Sequence, residues 1–154
     1  MTSPGGQMLK HILVATDASP ASNRAINLAA DMSARYDATL HLLYVVRDMQ
    51  LPSELKKMAE VEKLAGARSD VLEFVGKKIL SDAKERAIKK GAGNVHTALE
   101  HGDPANAILR YAKRRKIELI VLGTRGLGQV KGVLMGSVSR KVTNMSETNC
   151  LIVR

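Results

Sequence analysis

The stretch GTRGLGQVKGVLMGSVS, residues 123–139, carries five glycines in seventeen residues and ends in two hydroxyls, Ser137 and Ser139. Its spacing is Gly123, two residues, Gly126, nine residues, Gly136, Ser137. A glycine has no Cβ, so backbone N–H groups at Gly123 and Gly126 can come close to an anion. Gly136 and Ser137 open a predicted helix. The first N–H groups of a helix have no internal partner, and its dipole favours negative charge there. Hydroxyls of Ser137 and Ser139 add donors, and Arg125 and Lys131 add positive charge. Phosphate is the ligand chemistry that suits this set. The same residues also suit a flexible loop in which Ser137 merely caps the helix. The pattern is neither a G-x-x-x-x-G-K-[ST] loop nor a GxGxxG turn.

A second chemical candidate is Asp17, which follows the apolar run HILVA (11–15). An Asp after a strand often only forms a turn. As a ligand residue its carboxylate accepts from ribose hydroxyls or assists a magnesium ion. The four histidines (11, 41, 96, 101) lie on or beside predicted strands without HExxH or Cys/His spacing, which argues against a metal site. No GxSxG nucleophile elbow occurs.

These candidates need elements to hold them. HILVA (11–15), LHLLYVV (40–46), LIVLG (119–123) and CLIV (150–153) are continuous apolar runs, as in parallel strands covered on both faces. VHTAL (95–99) alternates, which suits an edge strand with one wet face. Helices are predicted over 19–36, with Ser19 as N-cap and Pro20 at the first turn, and over 69–90, stopping at Gly91. Further helices are predicted over 103–116, with Asp103 and Pro104 in the same cap arrangement, and from Gly136 or Ser137 to Met145. Inward faces are expected to carry Ala21, Ala25, Leu28, Ala29 and Met32; then Leu72, Val75, Ile79, Ala83 and Ala87; then Ala105, Ile108, Leu109 and Ala112. Residues 47–68 read as a loop with a short helix. The order β-α-β-α-β-α-β-α-β implies one doubly wound α/β domain with helices on both faces. Asp17 and Gly123 then lie beyond carboxyl ends of strands, where open parallel sheets bind ligands.

With 154 residues, the chain is long enough for one domain. No apolar run reaches the roughly 20 residues needed to span a bilayer. The first eight residues, MTSPGGQM, lack the basic start and apolar centre of a secretion signal and read as a loose tail before a domain at 9–154 of a cytoplasmic protein. The lone Cys150 excludes an internal disulfide and reads as a buried, inert thiol. The net charge of +9 raises nucleic acid as a partner. Much of it, however, sits in Lys89-Lys90 and in KRRK (113–116), where cations complement helix C-termini. With aromatics at 3%, one Phe and no Trp, stacking platforms for single strands are lacking. The rival reading, a slow ATPase or a phosphoryl or nucleotidyl transferase, has little support either. Phosphoryl transfer needs a positioned base or water-orienting group, and Asp17 is the only acidic candidate.

From about Leu9 to Arg154 the chain resembles the universal stress protein family. HILVATDASPAS, HGDPANAILRYAKRRKIELIVLGTRG and the glycine pattern ending GSVSRKV carry the resemblance. The last looks like the G-x2-G-x9-G-[ST] signature of the ATP-binding branch. The resemblance implies a five-stranded parallel sheet in order 3-2-1-4-5, with ATP between the first and fourth strands. Ala15, Thr16 and Asp17 would border the adenosine, with Asp17 near the ribose, and Val45 would meet the adenine through its backbone. Leu122, Gly123 and Gly126 would shape the loop, and Gly136, Ser137, Val138 and Ser139 would hold the phosphates. It also implies a stress-response regulator that presents its nucleotide state to a protein partner. Pairing of the C-terminal strand (149–154) with its copy in a homodimer would cover an exposed apolar edge. Two departures stand out: Glu118 where the family commonly has Asp, and no proline before the last strand.

Overall fold

A computed structural model describes residues 9–48, 52–124 and 135–154. Five parallel strands form one sheet: β1 (His11–Ala15), β2 (Thr39–Val46), β3 (Asn94–His101), β4 (Leu119–Gly123) and β5 (Asn149–Val153). Their order is β3-β2-β1-β4-β5, the arrangement expected from the sequence. The helices are α1 (Pro20–Tyr36), α2 (Ser53–Lys56), α3 (Ala59–Lys89), α4 (Pro104–Arg114) and α5 (Ser137–Met145). None among the described residues is long and apolar enough to cross a membrane.

Both faces of the sheet are covered, so both build a core. Ile12, Val14, Leu40, Leu42 and Val121 pack with α1 and α3 residues on one side. Leu13, Leu43, Ile120 and Leu122 pack with Ile108, Tyr111, Ala112 and Val142 of α4 and α5 on the other. This two-sided burial is the physical reason for the continuous apolar runs.

The helix starts follow the cap chemistry. Ser22 N donates to Ser19 Oγ at 3.1 Å, and Asn106 N donates to Asp103 Oδ2 at 3.0 Å. Each cap is followed by proline. α3 ends at Lys89 and α4 at Arg114, so both basic clusters do sit at helix C-termini. Gly91 adopts φ +105°, a conformation that suits glycine just past a helix.

Three expectations need correction. α3 begins at Ala59, ten residues before the predicted start, so much of the supposed loop 47–68 is helix. Only its later part is buried, at Gly76, Leu80, Ala83 and Ala87, and Val75, expected on the inward face, is 41% exposed because it sits on the open cleft side of the helix. On α1, Leu28 is 39% exposed and Ile26 takes the core position instead, because the helix turns its 25-26-29-30 face to the sheet. Cys150 is half-buried rather than enclosed, and burial still raises its thiol pKa.

The two departures in the sequence are absorbed locally. Glu118 Oε1 accepts from the N–H groups of Lys10 (2.8 Å) and His11 (3.1 Å), tying the start of β1. Without a proline, β5 pairs with β4 in unbroken register from Asn149 opposite Leu119 to Val153 opposite Gly123.

At the amino ends of the strands lies a row of rings. His11 Nδ1 is 3.1 Å from His41 Nε2, and His41 Nδ1 is 2.8 Å from the Tyr111 hydroxyl. His96 stacks on His41 with centroids 5.6 Å apart. His41 is 3% exposed, and its pKa is lowered to about 4, chiefly by burial and then by His11, His96 and Arg115 nearby.

Candidate functional site

Successive strands are added to opposite sides of β1, so the strand order reverses between β1 and β4, and a cleft of about 550 Å³ opens at the carboxyl ends of these strands. Its walls come from five places: the β1–α1 turn, the end of β2, the end of β4 with the start of α5, the first turns of α4, and α3.

The β1–α1 turn is densely hydrogen-bonded. Thr16 N donates to Leu43 O at 2.9 Å, anchoring the turn to β2. Thr16 Oγ1 accepts from Ala18 N at 3.2 Å and lies 3.2 Å from Ser22 Oγ. Ser22 Oγ also lies 2.9 Å from Ser19 O, to which it donates. Ala18 sits at φ +66°, a left-handed conformation that costs a non-glycine residue about 1 kcal/mol. Asp17 does form a turn, since its Oδ1 accepts from Ser19 N at 2.9 Å. A carboxylate has two acceptor oxygens with about four lone-pair directions, so turn formation and ligand binding are compatible.

Gly123 is required by packing. A Cβ there would lie 2.8 Å from the carbonyl carbon and Cβ of Ala21 and 2.9 Å from Ser22 N. The end of β4 thus presses directly on the first turn of α1. Beyond it the chain is pinned at two points. Thr124 N donates to Val153 O at 2.8 Å, and Gly136 N donates to Thr124 O at 2.5 Å. The base of the glycine loop is therefore closed. Gly126, Arg125 and Lys131 lie outside the described residues.

α5 starts at Ser137 with Gly136 as N-cap and no side-chain cap, unlike α1 and α4. Its first turn lines the cleft with Gly136, Ser137, Val138 and Ser139. The two serines differ. Ser137 is exposed, whereas Ser139 is buried and donates its hydroxyl proton to Gly123 O at 2.7 Å. Its proton is thus committed to the protein, and Ser139 offers the cleft its backbone N–H rather than its hydroxyl. Across the rim, Lys141 Nζ lies 3.2 Å from Asp103 Oδ2, joining α5 to α4. The Asn106 N–H, then Lys141, hold the Asp103 carboxyl below the ordinary range.

Around this one cleft stand Ala15, Thr16, Asp17, Val45, Leu122, Gly123, Gly136, Ser137, Val138 and Ser139. Sequence reasoning missed others. Arg68, Leu72, Val75 and Ile79 of α3 form an outer wall, Tyr44 and Arg47 come from β2 and its end, and Pro104 and Ile108 from α4. The α3 signal was present as an i, i+4, i+7, i+11 stripe. It read as core because its apolar members continue into the buried Ala83 and Ala87. Arg68 was hidden in the supposed loop. Asp17 is the only carboxylate among the described lining residues, beside two arginines. Among the described residues no group of three or more His, Cys, Asp or Glu is placed to hold a metal ion.

The sequence profile described as the universal stress protein family matches residues 8–154. Universal stress protein YxiE of Bacillus subtilis (strain 168) is 37% identical over 149 residues, covering 96% of this chain and 100% of YxiE. Universal stress protein UspA from Lactobacillus plantarum superposes with a TM-score of 0.84 at 27% identity, covering 95% of this chain and 98% of that one. A universal stress protein solved in complex with cAMP gives 0.68 at 27% identity, covering 95% and 97%.

Proposed function

The chain belongs to the universal stress protein family, and we propose that its cleft binds ATP and that the protein is a cytoplasmic stress-response regulator. The observation that carries the proposal is the uncapped α5 N-terminus meeting the turn of Asp17 in one cleft of nucleotide size. The backbone N–H groups of residues 137–139 are the anion donors, strengthened by the dipole of the nine-residue helix. Arg47 and Arg68 add positive charge. Ala15, Thr16 and the backbone of Val45 border the adenosine, with Asp17 at the ribose. Leu122 and Gly123 shape the floor, and Gly126 extends the phosphate loop. Magnesium, when it accompanies the phosphates, has Asp17 as the nearby carboxylate. A relative of similar fold in complex with cAMP supports an adenine nucleotide as the ligand class.

The regulator reading follows from what the cleft contains. Asp17 is the one carboxylate among its described lining residues, and its Oδ1 is held by the turn. No second acid or histidine from the described residues lines the cleft to act as a base. Bound nucleotide instead bridges four elements and changes what the protein presents to a protein partner. A homodimer through residues 149–154 supplies two such surfaces, since β5 is a sheet edge with half-buried Leu151, Ile152 and Val153.

The test is to denature the purified protein and identify any released nucleotide by chromatography and mass. ATP, ADP, AMP and cAMP are then titrated onto emptied protein with and without magnesium. ATP should bind most tightly, and Gly136→Val should weaken it at least about tenfold by crowding the helix start. Full ATP affinity in Gly136→Val, or no binding of any adenine nucleotide, defeats the proposal.

A further inference from the structure

The first half of α3 carries two faces. Arg68, Leu72, Val75 and Ile79 line the cleft. A separate stripe faces outward: Leu64 is 70% exposed, Val71 61% and Phe74, the only phenylalanine of the chain, 76%. Ala67 lies between them and is also exposed. The positions 64, 67, 71 and 74 repeat by three and four, which are the a and d positions of a coiled-coil seam. Isolated apolar side chains on a surface need no explanation, but a contiguous stripe marks a contact surface.

The charged ends of the stripe favour one orientation. In an antiparallel pair of such helices, each a residue faces a d residue of the other. Leu64 then meets Phe74 of the second copy, and Ala67 meets Val71, a small side chain against a larger one. The next seam positions outward are Glu60 and Lys78, both exposed, and they meet each other at each end. A parallel pair would instead set Glu60 against Glu60 and Lys78 against Lys78. Like charges in a seam disfavour that pairing. The seam spans roughly 27 Å at 1.5 Å per residue. Lys78 also pairs with Asp82 at 2.8 Å, one turn on, so its ammonium already lies along this side of the helix.

We propose that this outer stripe of α3 is a two-fold docking surface for a second copy of the chain, packed antiparallel with Leu64 on Phe74 and Glu60 on Lys78. The surface is distinct from the β5 edge, which lies at the far side of the sheet from β3. It uses the helix that also walls the cleft, so anything that repositions α3 reaches both. Two isologous contacts on one chain close into a tetramer or run on as a chain, depending on the angle between their axes.

The test measures mass in solution by sedimentation with the full chain. Phe74→Glu should cut the wild-type mass to half or less, and the site is exposed enough that circular dichroism should be unchanged. Glu60→Lys alone and Lys78→Glu alone should each raise the dissociation constant at least about tenfold, and the two together should restore it. In a Cys150→Ser background, Ala67→Cys with Val71→Cys should give disulfide-linked copies under oxidation. Glu62→Cys, on the opposite side of the helix, should not. Unchanged mass in Phe74→Glu, a double charge swap no better than the singles, or cross-linking equal to the Glu62→Cys control overturns the proposal. A wild-type chain that is monomeric at all concentrations also overturns it.

Discussion

Ser139 donates its hydroxyl proton to the carbonyl oxygen of Gly123 at 2.7 Å, which ties the first turn of α5 to the end of β4. With the 2.5 Å bond from Gly136 N to Thr124 O, this closes the base of the glycine loop. The donors at the start of α5 are therefore pre-positioned, whatever the loop itself does.

Ser139→Ala should lower stability by about 1 kcal/mol, because the half-buried Gly123 carbonyl oxygen loses a donor. ATP affinity should fall as well, since the helix start is no longer held against β4. Thermal melts and an ATP titration check the two effects separately. Unchanged affinity alongside the lower melting point would mean the bond serves the fold alone.

Gly123→Ala should be costly, by about 1–3 kcal/mol, although it only adds a methyl group. The added carbon meets backbone of Ala21 and Ser22 at 2.8–2.9 Å, and backbone in the first turn of a buried helix cannot swing aside. A melting-temperature drop of several degrees is expected. A neutral result would show that α1 shifts more easily than its packing implies.

The His41 ring predicts acid sensitivity. Its pKa is near 4 in the fold, against an ordinary value of 6.5, because burial disfavours the cation and His11, His96 and Arg115 add to that. The unfolded chain therefore takes up this proton first as pH falls. Stability from this group is full above about pH 6.5 and is lost progressively down to about pH 4. The total is about 3 kcal/mol at most, from 1.36 kcal/mol per unit. Denaturant melts between pH 7.5 and 4.5 should show the decline, and His41→Gln should flatten it. Equal slopes in both proteins would place the acid sensitivity elsewhere.

Legibility in the sequence followed the range of each interaction. The strands announce themselves because burial on both faces demands continuous apolar runs such as HILVA and LIVLG. The caps Ser19-Pro20 and Asp103-Pro104 are local chemistry, complete within four residues. The cleft residues of the β1–α1 turn and the α5 start were readable from glycines, hydroxyls and one carboxylate at strand ends. The start of α3 was not. Its first half has apolar residues on two faces, Leu72 and Val75 toward the cleft and Leu64, Val71 and Phe74 outward, which blurs a single-face periodicity. The reason for Gly123 was also hidden, since it depends on Ala21, a hundred residues earlier, lying against it. Nor does spacing reveal that the Ser139 hydroxyl points back to its own chain.

Arg68 is the sharpest discriminator among the cleft residues that sequence reasoning missed. It stands on α3 at the mouth of the cleft, with Arg47 as the other cation in the lining. A guanidinium that contacts phosphate makes charge-assisted bonds, whereas one that lies over the base contributes mainly by stacking. Arg68→Ala should weaken ATP about three- to tenfold while leaving adenosine within about twofold, and the difference should shrink at high salt as exposed charges are screened. Arg68→Lys should recover part of the ATP affinity, because it keeps the charge but not the planar fork. Isothermal titration with ATP and adenosine at two ionic strengths checks this. Equal losses for both ligands would assign Arg68 to the base, and no loss for either would leave it outside the bound nucleotide's reach.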